Sequence, residues 1–312
     1  MRIVVTGANG QVGHELLRAL AAPEWGGSDR AIISATRSGR LEGGTHCEAA
    51  DLADFGGLTS TLDRIQPNLI LNAAAYTAVD RAEDEHDLAQ RINGEALGVL
   101  GKWAKRNDAR VVHYSTDYVF DGAATRAYRE DDATHPVSAY GRSKLVGEIA
   151  LSESGARHLI FRTAWVYAAR GQNFLRTMLR LGAERDELRV VDDQVGAPTP
   201  ARLIADVTAQ AVAQWQEDDT PTRDGVYHVV ASGRTSWCGF ARAIFERAQH
   251  AGLIERAPKV QAIRSDEYPT RAVRPAFSVL DTAKLRDVFG IALPDWQTAL
   301  DDVILELAQR RT

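Results

Sequence analysis

The stretch Thr6-Gly7-Ala8-Asn9-Gly10-Gln11-Val12-Gly13 decides how this chain is read. It follows a short β-rich run, Arg2–Thr6, and opens onto Gln11–Ala22, where Val12, Leu16, Leu17 and Leu20 recur at helical spacing. A glycine at such a turn permits positive φ, and its missing side chain lets the backbone approach a pyrophosphate. The helix that follows offers unpaired N–H groups and a favourable dipole to the anion. Strand, loop and helix stand in the order a dinucleotide site demands, with Gly7, Gly10 and Gly13 spaced GxxGxxG.

Working outward, short β-rich runs alternate with helical patterns. Strands are predicted at Ala31–Thr36, Asn68–Ala73, Val111–Ser115 and His158–Thr163, and helices at Leu58–Ile65, Asp87–Asn107 and Ser138–Ser152. Such alternation requires crossover connections and a parallel sheet covered on both faces. The expected fold is therefore α/β, a Rossmann-type doubly wound parallel sheet with a smaller α/β substrate lobe. Residues 1–165, with short returning segments, are assigned to dinucleotide binding, and 166–312 mainly to substrate. The second part is less regular. Helices are expected near Asn173–Ala183, Leu203–Gln216, Cys238–Ala251 and Trp296–Arg310, strands at Leu188–Val191 and Gly225–Val230, and loops at Asp192–Pro200 and Glu217–Asp224.

A dinucleotide site must also treat the adenosine ribose. A carboxylate after the second strand would bind a 2′-hydroxyl, whereas an arginine accepts a 2′-phosphate. Ala35-Thr36-Arg37-Ser38 has the guanidinium, so Arg37, or Arg40 in its place, favours NADPH over NADH. Asp51 and Leu52 follow the next short strand, where a carboxylate could bind the adenine amine and a leucine pack on its ring.

Tyr140-Gly141-Arg142-Ser143-Lys144 begins a helix after Pro136, so Tyr140 and Lys144 share one helical face. A close cation would favour the phenolate and lower the phenol pKa, letting Tyr140 exchange a proton with a sugar oxygen near neutral pH. Lys144 could also hold the nicotinamide ribose. Ser115 and Thr116 end a predicted strand, the edge where open α/β sheets hold ligands, and a hydroxyl there can hydrogen-bond a reacting carbonyl.

Composition closes off other classes. Hydrophobic residues make up 45% of the 312 and charged residues 25%, ample for a core and unlike a disordered chain. Lys and Arg total 37 against 42 Asp and Glu, so no basic excess is present to bind nucleic acid. The longest apolar stretch, Leu69 to Val79, is too short to span a bilayer, and no secretory signal is read. Two cysteines, Cys47 and Cys238, exclude a disulfide framework and a thiolate zinc site. A cytoplasmic protein without nucleic-acid or membrane partners is expected, as a monomer or homodimer.

The glycine loop with Tyr140 and Lys144 resembles the extended short-chain dehydrogenase/reductase family. Asn72–Asp80 (NAAAYTAVD), Tyr114–Phe120 (YSTDYVF), Phe161–Tyr167 (FRTAWVY) and Asp193–Thr199 (DQVGAPT) are similar to the dTDP-4-dehydrorhamnose reductases within it, nearly end to end. The resemblance implies NADPH-dependent reduction of the 4-keto group of dTDP-4-dehydro-β-L-rhamnose, the last step to dTDP-L-rhamnose for surface polysaccharide. It makes Tyr140 the proton donor, Lys144 its activator and Thr116 the carbonyl partner. It implies Gly10, Gln11 and Val12 at the pyrophosphate, Asp51 and Leu52 at the adenine, and Ala73, Ala74 and Ala75 at the nicotinamide-side ribose. Substrate contacts are implied for Asp117, Trp165, Gln194 and Thr199.

Some reductases of this family are reported with magnesium. The acidic positions here, such as Glu15, form no convincing cluster; Glu15 is expected as an exposed helix carboxylate, and no catalytic metal is predicted. A related 4,6-dehydratase would place Asp-Glu where this chain has Asp117-Tyr118, and the DQVGAPT run argues against a 4-epimerase. A non-catalytic regulatory subunit of similar fold is disfavoured by the intact Thr116, Tyr140 and Lys144.

Overall fold

The computed structural model describes residues 1–22, 30–217 and 221–310. The loop expected at 217–224 falls partly on 218–220, outside the described residues.

Seven strands form one sheet, all paired in parallel: β1 (Arg2–Thr6), β2 (Ala31–Thr36), β3 (Glu48–Ala49), β4 (Leu69–Asn72), β5 (Arg110–Thr116), β6 (Arg157–Thr163) and, from far along the chain, β11 (Gly225–His228). Their order is β11-β6-β5-β4-β1-β2-β3, so the chain reverses direction across the sheet between β1 and β4. That switch point opens a crevice at the carboxyl ends of the strands. Side-chain alternation feeds two cores. Ile3 and Val5 pack with α1 (Gln11–Leu20) and α7 (Ala201–Gln216), while Val4 packs with α2 (Phe55–Ile65) and α4 (Ala96–Arg106) on the opposite face.

Between the short α3 (His86–Gln90) and α4, Arg91–Glu95 forms a π-helical turn. There Asn93 turns inward, accepting from the Tyr76 amide (2.8 Å) and donating to the Tyr76 carbonyl and the Ser143 hydroxyl (both 3.0 Å). The turn thus ties the loop after β4 to α5 (Ala139–Glu153).

A third core joins α6 (Phe174–Glu184), α8 (Trp237–His250) and α10 (Trp296–Gln309) to β8 (Glu187–Val191), which pairs in parallel with β13 (Lys259–Ile263). β13 and the short α9 (Ala283–Phe289) lack a sequence expectation. The stretch expected as a loop at Asp192–Pro200 contains two short strands. β9 (Val195–Gly196) pairs with β12 (Thr235–Ser236), and β10 (Thr199–Pro200) with β7 (Val166–Tyr167). Glu15 corrects its expectation: it is 3% exposed and paired to Arg18 at 2.6 Å, because α7 covers this part of α1.

Candidate active site

At Gly7 and Gly13 the loop after β1 has no room for a side chain. Gly7 takes φ 67°, and a Cβ there would stand 2.6 Å from the Ala74 nitrogen; one on Gly13 would stand 2.2 Å from the Gly7 carbonyl. The loop, the start of α1 and the Ala73–Ala75 backbone therefore close on one another. Gly10 precedes helix α1 without a side-chain cap, and the first turn has no acidic residue, which leaves its leading N–H groups to an anion. Gln11 and Val12 open that helix half-buried.

Arg37 is exposed beyond β2. Its turn is fastened to the glycine loop: Asn9 donates to the Arg40 carbonyl and accepts from the Glu42 amide, both at 3.0 Å. Asp51 accepts from the Ala53 amide at 2.9 Å, and Leu52 is buried beside it. A residue missed in the sequence reading completes this region: Asn173, the cap of α6, donates to Gln11 Oε1 at 2.7 Å.

The second half of the site is built where β5 ends and α5 begins. Ser138 caps α5 by accepting from the Gly141 amide at 3.1 Å. A Cβ on Gly141 would lie 2.2 Å from the Tyr118 carbonyl, so the first turn of α5 rests directly on the turn after β5. This contact brings the Tyr140 phenol near Thr116. Tyr118 meets Tyr140 edge-on at 5.6 Å. Burial pushes the Tyr140 phenol up, above its ordinary value, with Thr116 opposing. The expected lowering by an adjacent cation is not what the structure has. The Lys144 ammonium nitrogen lies within the fold, 2.6 Å from the Tyr114 carbonyl and 2.9 Å from His113 Nε2, and burial pulls it down to about 7.

Asp117 is 2% exposed and accepts from Thr116 at 3.0 Å through Oδ1, while Oδ2 has no partner. Burial raises this carboxyl to about 6. Behind these groups Ser115 donates to Glu148, which Arg162 grips with Nη2 at 2.7 Å, so β5, α5 and β6 are held together by a buried ion pair.

A cavity of about 930 Å³ is lined by Phe174, Met178, Gln194, Trp237, Tyr268 and Arg274, among others. Gln194 donates to Ser265 at 2.9 Å. Trp165, with φ 49°, stacks on Trp237 at 3.6 Å and 7°. Thr199 departs from its expected substrate role: it is fully buried, donating to the Ala197 carbonyl (3.0 Å) and accepting from the Ala231 amide (3.2 Å). Arg274 was missed. It binds Asp80 at 2.8 Å, and its Nε is buried without a partner. No periodicity marks Arg274 in the irregular stretch before Phe277. Asn72 and His113 were legible as polar residues inside apolar strands, which need buried partners. Among the described residues no group of three or more His, Cys, Asp or Glu is placed to hold a metal.

The chain is 46% identical to a dTDP-4-dehydrorhamnose reductase of Burkholderia thailandensis, over 98% of this chain and 99% of the relative. It is 44% identical to that of Escherichia coli K12, over 98% of each. Among solved structures, a dTDP-4-dehydrorhamnose reductase of Bacillus anthracis in complex with NADP has 32% identity and a TM-score of 0.83, with 98% of this chain and 99% of that one covered. The sequence model of the RmlD substrate binding domain family matches residues 1–309, and the chain belongs to that family.

Proposed function

We propose that this protein is an NADPH-dependent oxidoreductase that reduces the 4-keto group of dTDP-4-dehydro-β-L-rhamnose to give dTDP-L-rhamnose, the activity its relatives are named for. The observation that carries the reading is the close seat of α5 on the turn after β5, which brings the Tyr140 phenol near Thr116 at the carboxyl edge of the sheet.

The residues present fit the dinucleotide. The uncapped start of α1, Gly7 and Gly13 would receive the pyrophosphate. Arg37 would take a 2′-phosphate, Asp51 and Leu52 the adenine, and Ala73–Ala75 with Lys144 the nicotinamide ribose. When bound, the dinucleotide supplies the hydride. Tyr140, protonated at neutral pH, would then donate its proton to the carbonyl oxygen as charge develops there. Thr116, turning its hydroxyl proton away from Asp117, would steady the same oxygen and afterwards the phenolate. The free Oδ2 of Asp117 is an acceptor for a sugar hydroxyl. Trp165, Gln194 and Trp237 would meet the nucleotide sugar, and the free Nε of Arg274 suits its diphosphate.

A dehydratase requires a second carboxylate beside the strand-end threonine. Tyr118 stands there, its phenol pushed up to about 12 by burial, and it supplies no base for removing water. The proposal extends to a dinucleotide-binding part over 1–165 with returning segments, a substrate lobe over 166–312, a cytoplasmic site of action and a monomer or homodimer. Among the described residues no helix is long and apolar enough to cross a membrane.

The test is to mix purified protein with NADPH, and separately NADH, and dTDP-4-dehydrorhamnose, and to follow absorbance of the reduced nicotinamide. Loss of absorbance, faster with NADPH, is expected. A flat trace while the cofactor demonstrably binds would remove the reading.

A further inference from the structure

The loop between β7 and α6 lies across the start of α1. Its backbone is pinned to the first turn of α6: Asn173 Nδ2 donates to the Ala168 and Arg170 carbonyls at 3.0 Å, and Arg176 Nη1 to the Ala169 carbonyl at 2.8 Å. Gly171 takes φ 70°, and a Cβ there would lie 3.2 Å from Gln11 Cγ, so the loop passes directly against the first residue of α1. From this loop Arg170 extends a guanidinium that is only 17% exposed and pairs through Nη2 with Glu42.

Glu42 belongs to the turn after β2, and its amide is fastened to the glycine loop through Asn9 Oδ1 at 3.0 Å. In the stretch 37–47 it is the one carboxylate, set among Arg37, Arg40 and His46. A carboxylate on that turn repels a cofactor phosphate unless a cation holds it. His14, nearby on α1, is not that cation: burial lowers its imidazole and the Arg170 charge lowers it further, so it is neutral at pH 7. Arg170 presents five N–H donors in a planar fork, and among the described residues Glu42 is their acceptor. Glu42 is 68% exposed. An ion pair with so exposed a partner is a weak bond. A guanidinium instead grips a phosphate through two parallel charge-assisted hydrogen bonds.

We propose that Arg170 is a phosphate ligand of the dinucleotide, and that Glu42 holds its guanidinium beside the glycine loop until a cofactor phosphate displaces the carboxylate. The proposal rests on the reading of the glycine loop as the dinucleotide site. It adds to Arg37 a second cation, brought from the loop before α6. It also accounts for an acid on a phosphate-binding turn. A largely covered guanidinium is costly without a counter-charge, and Glu42 supplies one while remaining exposed enough to give way.

The test is fluorescence titration of the full chain with NADPH and, separately, NADH. Arg170→Met should raise the NADPH dissociation constant roughly tenfold, the loss expected for a hydrogen bond between charged groups. A loss confined to NADPH places the contact on the 2′-phosphate, and one shared by NADH places it on the pyrophosphate; either supports the proposal, and no loss with either overturns it. The sign of Glu42→Gln is the sharper measurement. A carboxylate that competes with the phosphate should, when removed, lower the NADPH constant by about threefold, the worth of an exposed ion pair. A pair that merely ties the loop to the turn predicts a constant that rises or stays, and either overturns the proposal. The gain must also vanish in the Arg170→Met background. A gain that persists there reflects general repulsion and overturns it as well. Because Glu42 is exposed, its variant carries the test even should Arg170→Met fold poorly. A parent that binds and oxidises NADPH, with both variants matching it, refutes the ligand role alone. A parent that binds neither dinucleotide refutes the functional reading too.

Discussion

Asn173 Nδ2 donates to Gln11 Oε1 across 2.7 Å, joining the first residue of α1 to the cap of α6 over 162 positions of sequence. The bond sets the start of α6 against the start of the helix that would hold the pyrophosphate. Asn173 also caps α6 by accepting from the Arg176 amide, so Ala would confuse two effects. Asn173→Ser keeps a capping oxygen and loses the reach to Gln11. The Asn173 amide also donates to the Ala168 and Arg170 carbonyls, which Ser gives up as well; fluorescence titration of NADPH should show a dissociation constant raised at least roughly fivefold, the loss expected for one hydrogen bond of ~1 kcal/mol. An unchanged constant would make the contact purely architectural.

Tyr140→Phe removes the proton donor while keeping the ring against Tyr118. Stopped-flow turnover should fall by about 10²–10⁴, with NADPH affinity retained. Thr116→Val should lower kcat by roughly 10², the usual loss for one donor to a developing oxyanion. Full activity in Tyr140→Phe would reassign the acid.

Gly141→Ala sets two effects against each other. Alanine is the better helix former by ~1 kcal/mol. Its Cβ, however, would stand 2.2 Å from the Tyr118 carbonyl, and relieving such overpacking costs about 1–3 kcal/mol. The overlap wins, so the melting temperature should fall. Because α5 must back away from Tyr118, Tyr140 should also part from Thr116 and kcat drop. A more stable, fully active variant would show that the approach is not needed.

Asp117 gives a pH-dependent test. Its folded pKa, about 6, lies above the unfolded value of ~3.9, so between these two values the folded chain holds the extra proton. The stability from this group is full below the unfolded pKa and is lost as pH rises through the folded one. Asp117→Asn removes the ionisation, so relative to the parent it should gain about 1–3 kcal/mol at pH 7.5 and almost nothing near pH 4. Denaturant unfolding at the two pH values measures the difference. An equal effect at both would mean that the buried carboxylate is not strained.

Much of the layout was readable before any coordinates. β1, β2, β5 and α5 lie within a residue or so of their expected bounds because β-rich runs and helical spacing are local signals. Helix α2 starts at Phe55, three residues before the expected Leu58, since Asp54 caps it through the Gly57 amide while Gly56 and Gly57 mask the helical pattern. The strands β9 and β10 were read as loop because two-residue strands owe their form to distant partners. Thr199 was read as a substrate contact on resemblance alone, and its hydroxyl is committed to Ala197 and Ala231.

Glycine spacing, strand alternation and the Tyr140–Lys144 interval are set by neighbours a few positions apart, and they were enough to establish a dinucleotide-binding α/β chain. Which way Lys144 turns is another matter. Its partner His113 is 31 positions away, and the Thr6–Asn72 and Gln11–Asn173 bonds span 66 and 162. Those meetings, and the burial that shifts Asp117, Tyr140 and Lys144, exist only once the sheet has closed, because desolvation and hydrogen-bond direction depend on what surrounds a side chain in space.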